Sequence, residues 1–225
     1  KQKTSMRVFS WRGDVDTIMS PWDSIRYYKH FLQSGFMSME PQTGFVRAWV
    51  GDTSNLDEVI SEANRLVRDS ELVASAVKSC DREKEIVVLG RGFTYANTRE
   101  AALKIQETSK ISVQGLSVAD YMHGPISALT DTTQVILLMP NGLPTSSIKD
   151  DVERIRAYRP RIIWFGNPAL AEGNELVVAG ANCSNEINSS IVDSIILQRF
   201  ALEFARKNGL NPDSPEGLSK VTLTI

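Results

Sequence analysis

A lysine between two glutamates is the first feature of this sequence with a potential for chemistry. Glu100, Lys104 and Glu107 are four and three residues apart, so on a helix they share one face as acid, base, acid. This spacing is typical of an exposed stripe of ion pairs, each of which stabilises a helix by about 0.2–0.5 kcal/mol. It also places a carboxylate beside an ammonium group, as proton transfer requires. The strands predicted on both sides of the helix somewhat favour the second interpretation.

A histidine and a lysine farther along the chain are further candidates. His123 stands directly before Gly124 and Pro125, and Pro125 suits the first position of a helix. A histidine there has the chemistry to open a sugar ring or to relay a proton, although a lone loop histidine is more often structural or simply exposed. Lys220 lies in a tail rich in turn residues, and a desolvated lysine amine forms imines with carbonyl sugars.

A glycine turn precedes the charged helix. Gly90 and Gly92 follow a predicted strand, where they permit a tight turn and a close backbone approach to an anion. Dinucleotide binding would also need an acidic residue at the end of the next strand. Gln114 and Gly115 stand there instead, which argues against dinucleotide binding. A purely structural turn and a loop close to a phosphate both remain open.

These residues must be positioned by the regular elements that begin near residue 51. Short apolar runs alternate with helical patterns, and several of the runs are apolar on both faces, as in a parallel sheet covered by helices. The pattern predicts a doubly wound α/β domain of five parallel strands, whose ligands bind beyond the carboxyl ends of the strands. The predicted strands are Glu85–Leu89, Ile111–Gly115, Gln134–Met139, Arg161–Phe165 and Glu175–Ala179. The predicted helices begin after Asn55 and cover Ser70–Lys78, Thr98–Thr108, Pro125–Leu129, Ser146–Tyr158 and Glu186–Asn208.

Residues 1–50 differ from the rest of the chain. They are dense in aromatic side chains but show no regular period, apart from a helical pattern near Ser24–Leu32. Such side chains need burial against the main domain or against a partner. We therefore expect an irregular aromatic-rich N-terminal extension, or a remnant of a preceding domain, over residues 1–50 and an α/β domain over residues 51–225.

Composition narrows the classes of function. With 25 basic and 27 acidic residues, the chain has no basic surplus for nucleic acid or an anionic membrane surface, and no apolar run approaches a membrane helix. Cys80 and Cys183 lie far apart, which predicts reduced thiols in a cytoplasmic protein. His30 and His123 are too few and too separated for a zinc site, so neither a metal nor another cofactor is expected.

Taken together, these stretches resemble the SIS (sugar isomerase) family, which includes the isomerase domain of glucosamine-6-phosphate synthase and the related glucosamine-6-phosphate deaminases. The resemblance covers residues 51–225 and implies a five-stranded parallel sheet. The stretches that carry it are Leu89–Gly92, Glu100–Glu107, Ala119–Pro125 and Leu218–Lys220.

The resemblance also implies a role for each candidate. Glu107 matches the base that moves a proton between C1 and C2 of the open-chain sugar, and Lys104 matches the lysine beside it. His123 matches the ring-opening histidine, which the family supplies from the neighbouring subunit. Lys220 matches the tail lysine that contacts the sugar carbonyl. The implied protein is a homodimer that binds a phosphorylated amino sugar.

The chain also departs from the family pattern. Family enzymes carry two SIS domains in tandem, and the first holds a Ser/Thr-rich loop that binds the sugar phosphate. Only one full domain is recognisable here, and no stretch of this sequence is expected to form the glutaminase domain of the synthase. The leading hypothesis is an isomerase or deaminase domain acting on glucosamine 6-phosphate and fructose 6-phosphate. The alternative is a non-catalytic phosphosugar-binding or dimerisation module.

Overall fold

The computed structural model describes residues 3–8, 15–23, 36–39, 46–50, 56–214 and 217. The chain divides into two compact units. The first comprises Lys1–Glu40 and Val46–Thr53, and the second comprises Pro41–Phe45 and Ser54–Ile225.

The first unit contains two separate antiparallel strand pairs. Strand β1 (Thr4–Val8) pairs with β2 (Val15–Met19), and β3 (Phe36–Met39) pairs with β4 (Val46–Val50). The sequence does not predict these strands, because none of them is a continuous apolar run. The helical pattern near Ser24–Leu32 lies outside the described residues.

The second unit contains a sheet of five parallel strands in the order β6-β5-β7-β8-β9. This confirms the predicted α/β fold. Every residue of β5 and β7 is buried, as expected of strands covered on both faces, and β6 is an edge strand. The predicted strands agree with the structure within two residues at each end. The strands are β5 (Ile86–Gly90), β6 (Val113–Ser117), β7 (Gln134–Met139), β8 (Arg161–Gly166) and β9 (Leu176–Ala179).

The helices of this unit agree less closely with the sequence. The sequence does not predict α4, because five residues are too few to show a helical period. The helix predicted over Pro125–Leu129 is a 3₁₀ turn, Pro125–Ala128. No helix in the described part of the chain is long and apolar enough to cross a membrane. The helices are α1 (Leu56–Arg68), α2 (Ala74–Ser79), α3 (Thr94–Ser109), α4 (Val118–Met122), α5 (Lys149–Arg156) and α6 (Glu186–Lys207).

The two faces of the sheet are covered by different helices. On one face, Leu137 of β7 belongs to a buried apolar cluster that contains Tyr121 of α4 and Ile155 of α5. On the other face, the ring of Phe165 from β8 meets Phe200 of α6 edge-on, with 5.4 Å between ring centroids. The alternation of side chains along each strand produces this division.

Helix α3 lies on the same face as α6. Thr108 Oγ1 donates a hydrogen bond to the Ala201 carbonyl at 3.4 Å, and Asn97 Nδ2 donates to the Ser190 carbonyl at 2.5 Å. Gly115 of β6 fits directly against the backbone of α3, where a Cβ atom would clash. The helix with the charged face therefore packs closely on the edge strand.

A buried carboxyl group lies near the carboxyl ends of β8 and β9. Asp193 of α6 is 5% exposed, and its Oδ1 accepts a hydrogen bond from the Ala181 N–H at 2.6 Å. Burial raises the pKa of Asp193 to about 7, and this hydrogen bond and the charge of Arg65 oppose the shift only in part.

We expect the substitution Asp193→Asn to weaken the pH dependence of stability. Because the folded pKa lies above the ordinary 3.8, the contribution of the protonated carboxyl is complete below about pH 4 and is lost as the pH rises through about 7. Wild-type protein should lose about 2.6 kcal/mol of unfolding free energy between roughly pH 5 and 8 through this group. Urea unfolding across that range measures the loss. The exposed Asp213→Asn is the control, and equal pH slopes in wild type and Asp193→Asn would contradict the expectation.

Candidate active site

Two of the four predicted site residues form an ion pair. Lys104 Nζ lies 2.8 Å from Glu107 Oε2 on the face of α3, and the two side chains are 38% and 33% exposed. Both groups are therefore held together and remain accessible to a small substrate. Because α3 runs back antiparallel to β5, this pair lies away from the carboxyl edge of the sheet, where parallel sheets usually bind ligands.

The pair fixes the protonation state of the lysine. The hydrogen bond to Glu107 raises the pKa of Lys104, and the charges of Glu107 and Glu100 add to the effect against a smaller opposing effect of burial. The lysine is therefore a cation at neutral pH and not a nucleophilic amine. Such a cation stabilises the negative oxygen that develops when a proton is taken from a carbon next to a carbonyl.

Glu100 has a different environment from Glu107. Its Oε1 accepts a long hydrogen bond of 3.4 Å from Gln198 Nε2 on α6. Of the three residues of the charged face, only Lys104 and Glu107 therefore form the close pair that proton transfer requires.

His123 is exposed and immediately follows α4, and its backbone N–H donates to the Asp120 carbonyl at 3.1 Å. Helix α4 covers the face of the sheet opposite to the face that carries α3 and Glu107. A single copy of the domain thus does not bring His123 and Glu107 into one cleft. Lys220 lies outside the described residues.

An open groove of about 600 Å³ runs between α3 and the edge strand β6. Its lining includes Leu103 and Gln106, which are neighbours in sequence of the Lys104–Glu107 pair. Leu103 is 47% exposed. This groove was not predicted from the sequence. The groove exists because β6 lies at the edge of the sheet, and the sequence does not specify the order of the strands. The groove is lined by Ala96, Arg99, Glu100, Ala102, Leu103, Gln106, Val113, Gln114, Gly115 and Leu116.

The glycine turn has a structural role. Gly92 has a φ of +64°, which a residue with a side chain rarely adopts, and a Cβ on Gly90 would lie 2.7 Å from Thr94 Oγ1. The Thr94 hydroxyl closes the turn, since it donates to the Arg91 carbonyl at 2.7 Å and accepts from the Arg91 N–H at 3.1 Å. The turn therefore requires its small residues whether or not a ligand binds there.

Among the residues that the structure describes, the remaining chemistry-bearing groups do not form a second centre. Cys80 and Cys183 are free and buried, and burial raises the pKa of each thiol to about 12. Neither is therefore a reactive thiolate at neutral pH. Within the described ranges, no three His, Cys, Asp or Glu side chains are grouped as metal ligands.

Comparison with known proteins gives two results for different parts of the chain. Residues 1–32 match the family model described as penicillin-binding protein middle domain. Glutamine–fructose-6-phosphate aminotransferase (isomerizing) of Aquifex aeolicus is 29% identical over 173 residues, which cover 76% of this chain and 29% of that protein. The chain therefore spans less than a third of the length of this relative.

Solved structures share the fold. The C-terminal domain of glucosamine-fructose-6-phosphate aminotransferase from Francisella tularensis has a TM-score of 0.61 at 19% identity and covers 69% of this chain and 45% of that one. Tagatose-6-phosphate ketose/aldose isomerase from Escherichia coli has a TM-score of 0.60 at 21% identity and covers 71% and 46%, respectively. At such identities the likeness establishes the fold alone.

Proposed function

Because the α/β unit of this chain is an SIS (sugar isomerase) domain related to the isomerase domain of glutamine–fructose-6-phosphate aminotransferases, we propose that it transfers a proton between C1 and C2 of a phosphorylated sugar. The observation that carries this proposal is the accessible Lys104–Glu107 pair, with 2.8 Å between the charged atoms. A carboxylate beside a fixed cation is the minimum set for proton abstraction next to a carbonyl.

The chemistry follows from these two groups. Glu107 removes the proton from C2 of the open-chain aldose, and Lys104 stabilises the negative charge that then develops on the oxygen at C1. The protonated Glu107 returns the proton to C1, and a second proton passes from the C2 amino group to the C1 oxygen. With glucosamine 6-phosphate this produces the imine of fructose 6-phosphate, and hydrolysis of the imine by water releases ammonia. No step requires a metal or an organic cofactor.

We further propose that a second copy of the chain completes the site. His123 and the Lys104–Glu107 pair lie on elements that cover opposite faces of the sheet, so a histidine that opens the sugar ring must come from a neighbouring copy. A homodimer that takes a phosphorylated amino sugar satisfies this requirement. Lys220 is proposed to contact the sugar carbonyl.

The proposal is tested by ammonia release from glucosamine 6-phosphate, measured in a coupled assay while light scattering records the molecular mass. We expect turnover in fractions that contain dimers and much less in monomeric fractions. Dimers that bind the sugar without turnover would contradict the proposal.

The second candidate, a non-catalytic phosphosugar-binding or dimerisation module, is supported by the lack of a recognisable Ser/Thr-rich phosphate loop in this sequence, a loop that the family carries in its first SIS domain and that the glycine turn does not replace. Thr94 is the single hydroxyl residue of Gly90–Thr94, and it is 1% exposed. Calorimetry with fructose 6-phosphate distinguishes the two candidates. A non-catalytic module would bind the sugar with a measurable heat of binding but would not turn it over.

The proposal also includes a domain boundary and a cellular compartment. We propose that the SIS domain begins near residue 51 and that residues 1–50 form a separate segment, since residues 1–32 match a different family model. The free thiols of Cys80 and Cys183 suit a reducing compartment, which favours the cytoplasm.

A further inference from the structure

A carboxylate lies at the glycine turn, at the edge of the sheet where doubly wound domains bind their ligands. The Phe93 N–H donates a hydrogen bond to Glu186 Oε1 at 2.9 Å. Phe93 directly precedes α3 and Glu186 is the first residue of α6, helices of 16 and 22 residues. Their N-terminal ends both favour negative charge, so this carboxylate occupies a position suited to an anion.

The other groups of the turn that bind anions are already engaged. The Thr94 hydroxyl is used within the turn and is almost fully buried. The Arg91 guanidinium donates to the Ser147 carbonyl at 2.7 Å and lies 3.7 Å from the Asp151 carboxylate. The hydroxyl is therefore not available to a phosphate, and the guanidinium, which is 42% exposed, already contacts a carbonyl and a carboxylate through Nη1.

The space at this edge is also filled. Gly92 lies against the Glu186 carboxylate so closely that a Cβ atom would clash with it. Gly142, in the loop after β7, lies equally close to the backbone of Asn185 and Glu186 at a φ of +90°. The loops that follow β5 and β7 thus both close on the first residue of α6.

We propose that Glu186 excludes the sugar phosphate from the glycine turn at the strand ends of this domain, so that the phosphate of the substrate is bound elsewhere in the assembly. Glu186 is in this sense a specificity-determining residue. The inference rests on the proposed function for the identity of the substrate. The exclusion itself concerns any phosphate dianion, because a carboxylate a few ångströms away repels it.

Inorganic phosphate is the probe, and backbone amide NMR shifts of Phe93 and Thr94 are the readout. We expect little binding at this turn in the wild-type chain. Glu186→Ala should raise the phosphate affinity there at least about tenfold, because a repelling charge is removed and the Phe93 N–H is freed. Glu186→Gln, which keeps the acceptor and loses the charge, should show a smaller gain. Glu203→Ala, also on α6, should leave the affinity unchanged.

Two outcomes would overturn the proposal. One is phosphate binding by wild type that shifts Phe93 and Thr94 as strongly as it does in the variants. The other is a folded Glu186→Ala or Glu186→Gln chain with no gain in affinity. If the alanine variant does not fold, the glutamine variant decides the question. Since phosphate binding involves no turnover, this result is independent of the assay for ammonia release.

Discussion

Glu107→Gln is expected to lower sugar interconversion by about 10²–10⁴-fold, the usual contribution of a general base. Glutamine keeps the size of the side chain and accepts a hydrogen bond from Lys104, but it cannot take a proton from C2. The decrease should therefore appear in kcat, with little change in KM. Ammonia release from glucosamine 6-phosphate measures it, and a circular dichroism spectrum checks that α3 is intact.

Glu100→Gln is the matched control for this prediction. It removes a carboxylate from the same helix face, but Glu100 contacts Gln198 at 3.4 Å and does not form the close lysine pair. We expect this variant to retain most of the activity. Equal activity of wild type and Glu107→Gln would eliminate Glu107 as the base, and equal losses in both glutamine variants would indicate a general charge effect of the helix face.

Glu175→Ala is expected to lower the free energy of unfolding by about 3 kcal/mol. Glu175 binds Arg156 through two hydrogen bonds, of 2.7 and 2.8 Å, and accepts a third from Trp164 Nε1 at 2.7 Å. Trp164 is fully buried, and the Arg156 side chain is 15% exposed. Alanine would leave both donors without this acceptor. Urea denaturation at pH 7 measures the loss.

The pH dependence provides a second check on Glu175. Burial alone would raise its pKa, but hydrogen bonds from Arg156, Trp164 and the Glu172 N–H together hold it below the ordinary 4.5. Its contribution to stability is therefore present above about pH 4.5 and lost as the pH falls through the lowered folded pKa, so the deficit of the variant should shrink in acid.

Glu153→Ala is the control, because Glu153 also pairs with Arg156, at 2.9 Å, but is 51% exposed. A surface pair of this kind contributes less than about 1 kcal/mol. A loss from Glu175→Ala no greater than the loss from Glu153→Ala would contradict the prediction.

Four of the five strands were predictable because each is a short apolar run between turn residues, and β6 was predicted although it contains Gln114 and Gly115. A sheet covered on both faces buries every side chain of its central strands, and this leaves a clear sequence pattern in β5 and β7. Helix α4 was not predictable because five residues are too few to show a helical period. The strands of residues 1–50 were not predictable because none of them is a continuous apolar run. The order of the strands was also not predictable, since apolar runs do not specify their neighbours.

The candidate site also has one part that the sequence determined and another that only the tertiary structure decided. The pairing of Lys104 with Glu107 is local, since residues three apart on a helix meet on one face, and the sequence by itself determined it. Only the tertiary structure decided that His123 and Glu107 lie on elements covering opposite faces of the sheet. It also decided that Glu186 accepts a hydrogen bond from Phe93, which is 93 residues away in sequence. Such contacts depend on how helices and loops pack around the sheet, and residue types and spacing carry no record of that packing.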